Sequence, residues 1–263
     1  MSKRKMILMN PKFKLAWRIV PVIFTIVVAK VLMHQFGFEV FSLSPLFTAI
    51  ISANIFLIGF LVSGVLSDYK ESEKIPTDIS SNIESIADEG KIVYKSKNKD
   101  IGIEIVQSCS KMCGDISAWF ENKKGTAAVM DDLEGFNDCF IKLEGLSHPP
   151  FVARLKGEQN TIRKLINRAH TIKDTNFIGT GYAIAEIITI ILISGFIFIK
   201  MEPFYEGVFF ISFVSFMLIY MIYFIKNLDN PFGYGQGGSV ENVSLKPFLQ
   251  TQRRLDSWIE KNK

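Results

Sequence analysis

The sequence predicts an all-α, multi-pass membrane protein with four transmembrane helices in two hairpins and a helical cytoplasmic region. Three observations predict this fold class. The 263 residues have a mean hydropathy of +0.24, with 48% hydrophobic and 21% charged residues, which is unusual for a soluble globular domain. Several uncharged runs approach the roughly 20 residues that cross a bilayer. Those runs occur in two closely spaced pairs, which predicts two membrane hairpins.

The four apolar runs are the predicted spans. Arg18 and Lys30 flank or interrupt the first run, and their long side chains can extend to the lipid headgroups. Glu186 is the only charged residue of the third run, and the second and fourth runs have none. The runs cover residues 19–33, 46–66, 182–199 and 207–225.

Charged residues near the spans predict the orientation, because basic residues accumulate on the cytoplasmic side. The hairpin loops have only Lys200 as a clear cation, whereas the first span is preceded by Lys3, Arg4, Lys5, Lys12, Lys14 and Arg18. Both termini and the region between the hairpins are therefore predicted to be cytoplasmic, in a cell or organelle membrane. The predicted segments are the N-terminal residues 1–14, the first hairpin 15–67, the helical region 68–176, the second hairpin 177–226 and the tail 227–263.

Apolar residues recur at helical spacing through the region between the hairpins. One such group is Ile79, Ile83 and Ile86, and a second is Val129, Leu133, Phe136, Phe140 and Leu143. The helices are predicted to end near Pro76, Gly90, Gly125, Gly145 and the Pro149-Pro150 pair. No strand alternation is present in this sequence, so the region is predicted to be helical throughout.

Charge and cysteine content exclude several classes of function. A formal net charge of +4, spread along the chain, is too weak to indicate nucleic-acid binding. Cys109 and Cys113 lie one helical turn apart, but only Cys139 and scattered histidines could complete a zinc site of four ligands. The cysteines are therefore interpreted as packed, reduced thiols. The Gly-rich stretch 233–238 has no Gly-Lys-Ser/Thr phosphate motif. No enzyme activity, metal or cofactor is predicted.

Glu186 is a candidate functional residue, because a charge within a span is costly and tends to be retained for function. One interpretation is an ion or proton site. The other, which its place near the cytoplasmic end of the span favours, is a structural carboxyl that pairs with Arg18 or Lys30 on a neighbouring helix or donates a single hydrogen bond.

The second span has an unusual polar and aromatic face. Ser52, Phe56, Phe60, Ser63 and Ser67 follow the spacing of one helix face. They form either a helix-packing seam, in which small residues permit close approach, or a pore-lining face that gates by dewetting at rings of phenylalanine. The spacing alone leaves both interpretations open.

Two sequence stretches resemble the bestrophin family of pentameric ion channels. Residues 51–60, ISANIFLIGF, and the polar run 67–76, SDYKESEKIP, resemble the neck helix of that family and its continuation. Asn230, Pro231, Phe232 and Gly233 resemble its Asn-Pro-Phe-Gly motif at the end of the fourth span. The helix 159–173 leading into Phe177 is similar in placement to the helix before the third span of the family, so the resemblance covers most of the chain.

The resemblance implies a homopentameric channel that conducts ions passively through a hydrophobic neck. The neck positions match Ser52, Phe56 and Phe60, with Ser63 on the same face. Animal members of the family conduct chloride and some bacterial relatives prefer cations. Chloride is favoured here because no acidic side chain lies on this face and aromatic rings present a positive edge. The acidic calcium-binding cluster of the family is replaced by residues 234–240, YGQGGSV, so calcium gating by that site is not expected.

Two alternative functions remain open at this point. The chain could be a membrane-anchored scaffold whose cytoplasmic helices bind a protein partner, with Phe56 and Phe60 serving only for packing. It could also be a proton-coupled transporter that uses Glu186. In each case the expected surroundings are membrane lipid.

Overall fold

The computed structural model describes residues 13–96, 98–146, 148–174, 179–234 and 242–262. Lys3, Arg4, Lys5, Lys12, Phe177 and most of the Gly-rich stretch, residues 235–238, lie outside the described residues. Within them, the helices are α1 (Lys14–Gln35), α2 (Pro45–Ser96), α3 (Lys99–Phe120), α4 (Thr126–Glu134), α5 (Phe136–Glu144), α6 (Pro149–Asp174), α7 (Gly179–Phe198), α8 (Phe204–Leu228) and α9 (Lys246–Asn262), and the strands are β1 (Phe41–Ser42) and β2 (Ile199–Lys200).

The predicted all-α class is confirmed. Among the described residues, four helices are long and apolar enough to cross a membrane, and their apolar parts lie in α1, α2, α7 and α8. In the most apolar 18-residue stretch of each of these helices, only 17–22% of the stretch is buried inside the chain. The remainder lies on the surface of the chain, where it can contact lipid.

The chain divides into two compact units. The span unit comprises Met1–Ser67 and Asn176–Asp229, and it contains α1, α7, α8 and α2 up to Ser67. The polar unit comprises Asp68–Thr175 and Asn230–Lys263, and it contains the rest of α2 together with α3 to α6 and α9. Each unit has its own buried residues.

Pro76 and Gly90 do not end helices, contrary to the prediction, because both lie inside α2. Proline in a helix interior costs about 3 kcal/mol. The isoleucines around Pro76 offset that cost, since Ile75, Ile79, Ile83 and Ile86 are at most 2% exposed. Gly90 instead permits close helix packing: a Cβ atom there would lie 2.9 Å from Cγ2 of Ile105 on α3.

The polar unit is built around a continuous apolar core. The predicted helix through Val129 and Leu143 is in fact two helices, α4 and α5, which meet at Gly135 and bury the same residues. The tail contains α9, which the sequence did not predict. It packs on α3, where Ser110 donates a hydrogen bond to the Asp256 carboxylate. The largest fully buried side chains of this core are Trp119, Phe120, Phe136, Phe140, Phe232 and Phe248.

The two hairpins of the span unit contact each other through a short strand pair and through Lys30, which pairs with Glu39 in its own hairpin and donates to Ile199 of the other. β1 and β2 pair in parallel, with Phe41 opposite Ile199. The described residues therefore include one strand pair, although each strand is only two residues long. The sequence predicts that the Lys30 side chain extends to the lipid headgroups, but in the structure Lys30 is buried, at 1% exposed. Its Nζ lies 2.5 Å from Oε1 of Glu39 and also donates to the carbonyl oxygen of Ile199. Nδ1 of His34 lies 2.9 Å from the other Glu39 oxygen.

The three cysteines are free and buried, as interpreted from the sequence. Burial raises the pKa of Cys109 and Cys139, and it raises the pKa of Cys113 to about 12. Because the thiolate is the reactive form, we expect a water-soluble maleimide at pH 7.5 to leave all three unmodified in the native protein. Mass spectrometry should show three adducts only after denaturation. Rapid modification of the native protein at any of these positions would contradict the buried placement.

Candidate functional site

The predicted pore-lining residues form an exposed face of α2. Phe56 is 78% exposed and Phe60 is 59% exposed, and Ser52 and Ser63 are also exposed. The other side of the same helix is buried in the span unit, where Asn54, Ile58, Leu61 and Val65 are at most 4% exposed. The helix therefore presents its aromatic and hydroxyl side outward and uses a different side for packing within the subunit.

The hydroxyl groups at the start of this face bond to their own helix. Oγ of Ser52 donates to the carbonyl oxygen of Thr48 at 3.0 Å, and Oγ1 of Thr48 donates to that of Ser44 at 3.3 Å. The serine and threonine oxygens thus keep lone pairs that point away from the backbone. No side chain of residues 45–67 is ionisable, so the face has no fixed charge.

A hydrogen bond and an aromatic contact connect α2 to α7. Nδ2 of Asn54 donates to Oγ1 of Thr189 at 3.0 Å, and both residues are at most 4% exposed. Nearer the start of α2, the Phe47 and Phe196 rings meet edge to face at 5.4 Å. Interhelical hydrogen bonds in membranes average about 0.6 kcal/mol, so this bond contributes modestly to stability. Asn54 is a polar residue within an uncharged span, and nothing in the sequence indicates that Thr189 is its partner.

Glu186 forms an ion pair with Lys226, not with Arg18 or Lys30 as the structural interpretation predicted. Its Oε1 lies 2.5 Å from Nζ of Lys226, and the two side chains are 36% and 50% exposed. One turn earlier on α7, the Tyr182 hydroxyl donates to Oδ1 of Asp229 at 2.8 Å. Two polar contacts therefore join the start of α7 to the end of α8.

We expect Glu186→Gln to have a small effect, because an ion pair this exposed contributes about 0–1 kcal/mol. The melting temperature in detergent should change by no more than a few degrees. If the protein is a passive channel, ion flux should also persist in this variant. Complete loss of transport in a stably folded Glu186→Gln protein would instead support the proton-coupled transporter.

The part of α2 that follows the span is fixed to α6 inside the polar unit. Arg168 donates two hydrogen bonds to Glu71, at 2.9 and 2.7 Å, and lies 3.5 Å from Asp68. The hydrogen bonds from Arg168 lower the pKa of Glu71 below its ordinary value. Paired N–H donors of this kind restrict geometry more than a single contact does, so the contact orients this part of α2 against α6.

The Asn-Pro-Phe-Gly motif has a structural role in the polar unit. Phe232 is fully buried, with its ring centroid 4.9 Å from that of Phe120. The carbonyl oxygen of Pro231 accepts a hydrogen bond from the amide of Val243 at 2.9 Å. The side chain of Asn230 lies beside Gly233, where a Cβ atom would be 3.0 Å from Nδ2. The four residues thus form a tight turn whose aromatic ring anchors it in the core.

Known structures share this architecture, although no family model matches the sequence and no curated protein matches it either. A bacterial bestrophin homologue from Klebsiella pneumoniae aligns with a TM-score of 0.78 at 12% identity, covering 92% of this chain and 98% of that chain. Two single-substitution variants of a bacterial bestrophin homologue from Klebsiella pneumoniae align with TM-scores of 0.80 and 0.78. Both are 12% identical and cover 94% of this chain, and the alignments cover 98% and 99% of their own chains. The chain has the bestrophin fold. The resemblance predicted from the neck run and the Asn-Pro-Phe-Gly motif is thereby confirmed for the fold.

This bestrophin fold contains no evident metal site in the part of the chain that the structure describes. No group of three or more His, Cys, Asp or Glu side chains is arranged there to hold an ion. Most of the segment that replaces the acidic cluster of the family, residues 235–240, lies outside that part.

Proposed function

We propose that the protein is a passive ion channel in which the exposed face of α2 lines the conduction path as a hydrophobic neck. The observation that carries the proposal is the exposure of Phe56 and Phe60, at 78% and 59%, on a helix whose opposite side is buried. On a lone subunit these two rings would contact lipid, whereas in an assembly around an axis they would line a hydrophobic constriction, which is one of the ways in which channels gate. The bestrophin fold supports the same proposal.

A single copy of this face cannot enclose a pore, so the proposal requires several subunits around an axis. We propose five, as the family resemblance implies. The side chains of Ser52, Phe56, Phe60 and Ser63 would then form successive rings along the axis. In this assembly the termini and the polar unit lie on the cytoplasmic side, as the basic residues before the first span predict.

Chloride is the ion we propose. The face has no carboxylate that would repel it, and the edges of phenylalanine rings carry partial positive charge towards a partly dehydrated anion. One contact favours the opposite selectivity: the Ser52 hydroxyl donates to the backbone, which leaves its oxygen lone pairs available to a cation. The reversal potential of the current distinguishes the two ions.

The test is flux through purified protein in liposomes, combined with its oligomeric mass in nanodiscs. The proposal predicts a pentamer and a current whose reversal potential follows the chloride gradient. A current that follows the cation gradient would retain the channel and overturn the choice of ion. A monomer whose vesicles remain impermeable to every small ion would overturn the channel itself.

A membrane-anchored scaffold is the second candidate, favoured by apolar side chains exposed on the polar unit. Ile141 is 68% exposed and Ile92 is 55% exposed, and both could contact a protein partner. This function predicts that changing Ile141 to serine abolishes binding of a copurifying partner, and that changing Phe56 affects stability but no conductance. Conductance that depends on Phe56 would exclude the scaffold as the sole function.

A further inference from the structure

We propose that Asn54 is a positioning residue of the neck, whose hydrogen bond to Thr189 sets the rotation of α2 against α7 and thereby directs Phe56 away from the span unit. The inference rests on the proposed function, because it concerns the face that is proposed to line the pore. It assigns a role to a buried polar contact in which neither side chain reaches that face.

Asn54 lies opposite the neck face on the same helix. Successive residues of an α-helix are separated by about 100°, so Ser52 and Phe56, each two positions from Asn54, point about 160° away from it. The burial follows this geometry, since Asn54 is 1% exposed and Phe56 is 78% exposed. Whatever fixes the direction of Asn54 therefore fixes the direction of Phe56.

The rest of the buried stripe packs by van der Waals contact and makes no directional bond. Ile58, Leu61 and Val65 are apolar, and helices in a bilayer have no hydrophobic driving force that selects one apolar face over another. The Asn54 hydrogen bond is directional and 3.0 Å long. A rotation of about 30° moves a group ~5 Å from the helix axis by about 2.6 Å, which is enough to break that bond and to displace the Phe56 ring.

The chemistry of Asn54 indicates specificity more than stability. Its Oδ1 atom is buried without a hydrogen-bond partner among the described residues, and such an atom is destabilising. An apolar side chain would avoid that cost. A single buried asparagine that fixes helix register at the expense of stability is well established in coiled coils, and Asn54 has the same properties here.

The experiment measures how fast a cysteine at the neck reacts with a charged thiol reagent. Phe56→Cys supplies the thiol, and the buried native cysteines give little background. Asn54→Leu and Thr189→Val each remove the hydrogen bond at nearly constant volume. Both should slow the reaction of Phe56→Cys by about threefold or more as the thiol turns from water, while oligomeric mass and melting temperature are maintained. Thr189→Ser keeps the hydroxyl, so Phe56→Cys in this variant should react at the original rate.

The matched control is Ser194→Ala, because Ser194 lies on the same helix but is exposed and donates to its own backbone. It should not change the rate. Should Asn54→Leu fail to fold, Thr189→Val alone decides the outcome. Rates within about twofold of the parent in the folded variants would overturn the positioning role. Labelling does not require conduction, so a non-conducting wild type would overturn the proposed function and leave this result separate.

Discussion

Glu39→Gln should destabilise the span unit by about 3–5 kcal/mol, because it leaves the ammonium group of Lys30 charged and buried without its partner. Lys30 is 1% exposed, and the Glu39 side chain is 7% exposed. Replacement of both partners by methionine should recover most of the loss, since a buried ion pair contributes little relative to an apolar pair of similar size. Denaturant unfolding in detergent, followed for the wild type and for both variants, provides the measurement.

The same pair predicts acid sensitivity. Burial acts to raise the pKa of Glu39, but hydrogen bonds from Lys30 and His34 outweigh it, so the pKa lies below its ordinary value. A lowered pKa contributes stability that is present above the ordinary value of about 4.3 and is lost as the pH falls through the folded-state value. The double methionine variant should lack this component of acid sensitivity.

Glu202 provides a matched control in the same loop region. It pairs with Lys200 at 2.8 Å, but the two side chains are 77% and 60% exposed. Glu202→Gln should therefore leave the unfolding transition unchanged, because exposed ion pairs contribute little. Equal destabilisation by Glu39→Gln and Glu202→Gln would show that burial of the first pair has no energetic consequence, contrary to the structure.

Phe56→Ala combined with Phe60→Ala should raise ion flux by about tenfold or more, because it removes two rings of the proposed hydrophobic constriction. A tenfold change corresponds to about 1.4 kcal/mol in the barrier that an ion meets. Initial flux rates in liposomes, normalised to the amount of reconstituted protein, measure the effect.

The control for that experiment is a second pair of exposed phenylalanines one turn apart. Phe209 and Phe213 on α8 are 64% and 53% exposed, and their rings stack at 6.4 Å. Alanine at both positions should leave the flux unchanged, because these residues lie on another helix, outside the neck. A similar change in flux from both double variants would indicate a general effect on folding or insertion and would contradict the assignment of the neck.

The four spans and the exposed face of α2 could be predicted from sequence because each depends on local pattern. An uncharged run must be long enough to cross a bilayer, and Ser52, Phe56 and Phe60 share a side of any regular helix. The Asn-Pro-Phe-Gly motif could be located in the same way. That Phe232 packs against Phe120 could not, because the two residues are far apart in the chain.

The remaining features depend on tertiary contacts. Local propensity predicted a helix end at Pro76, yet the buried isoleucines around it keep α2 continuous. From the sequence, the Lys30 side chain is expected to extend to the lipid headgroups. In the structure it is buried and forms an ion pair with Glu39 in the loop that follows α1. Glu186 was expected to pair with a cation of the first span, but Lys226 on α8 lies closer to it. An ion pair forms only where the fold brings two opposite charges together. The sequence shows which residues are charged but not which of them lie close to one another.

If the exposed side of α2 faces a conduction path, as we propose, chemical modification at that side should alter ion flux. Phe56→Cys and Phe209→Cys, each reconstituted in liposomes, are treated with a charged thiol reagent while ion flux is recorded. We predict that modification at position 56 changes the flux severalfold and that modification at position 209 leaves it unaltered. Complete labelling at position 56, confirmed by mass spectrometry, with no change in flux would contradict it.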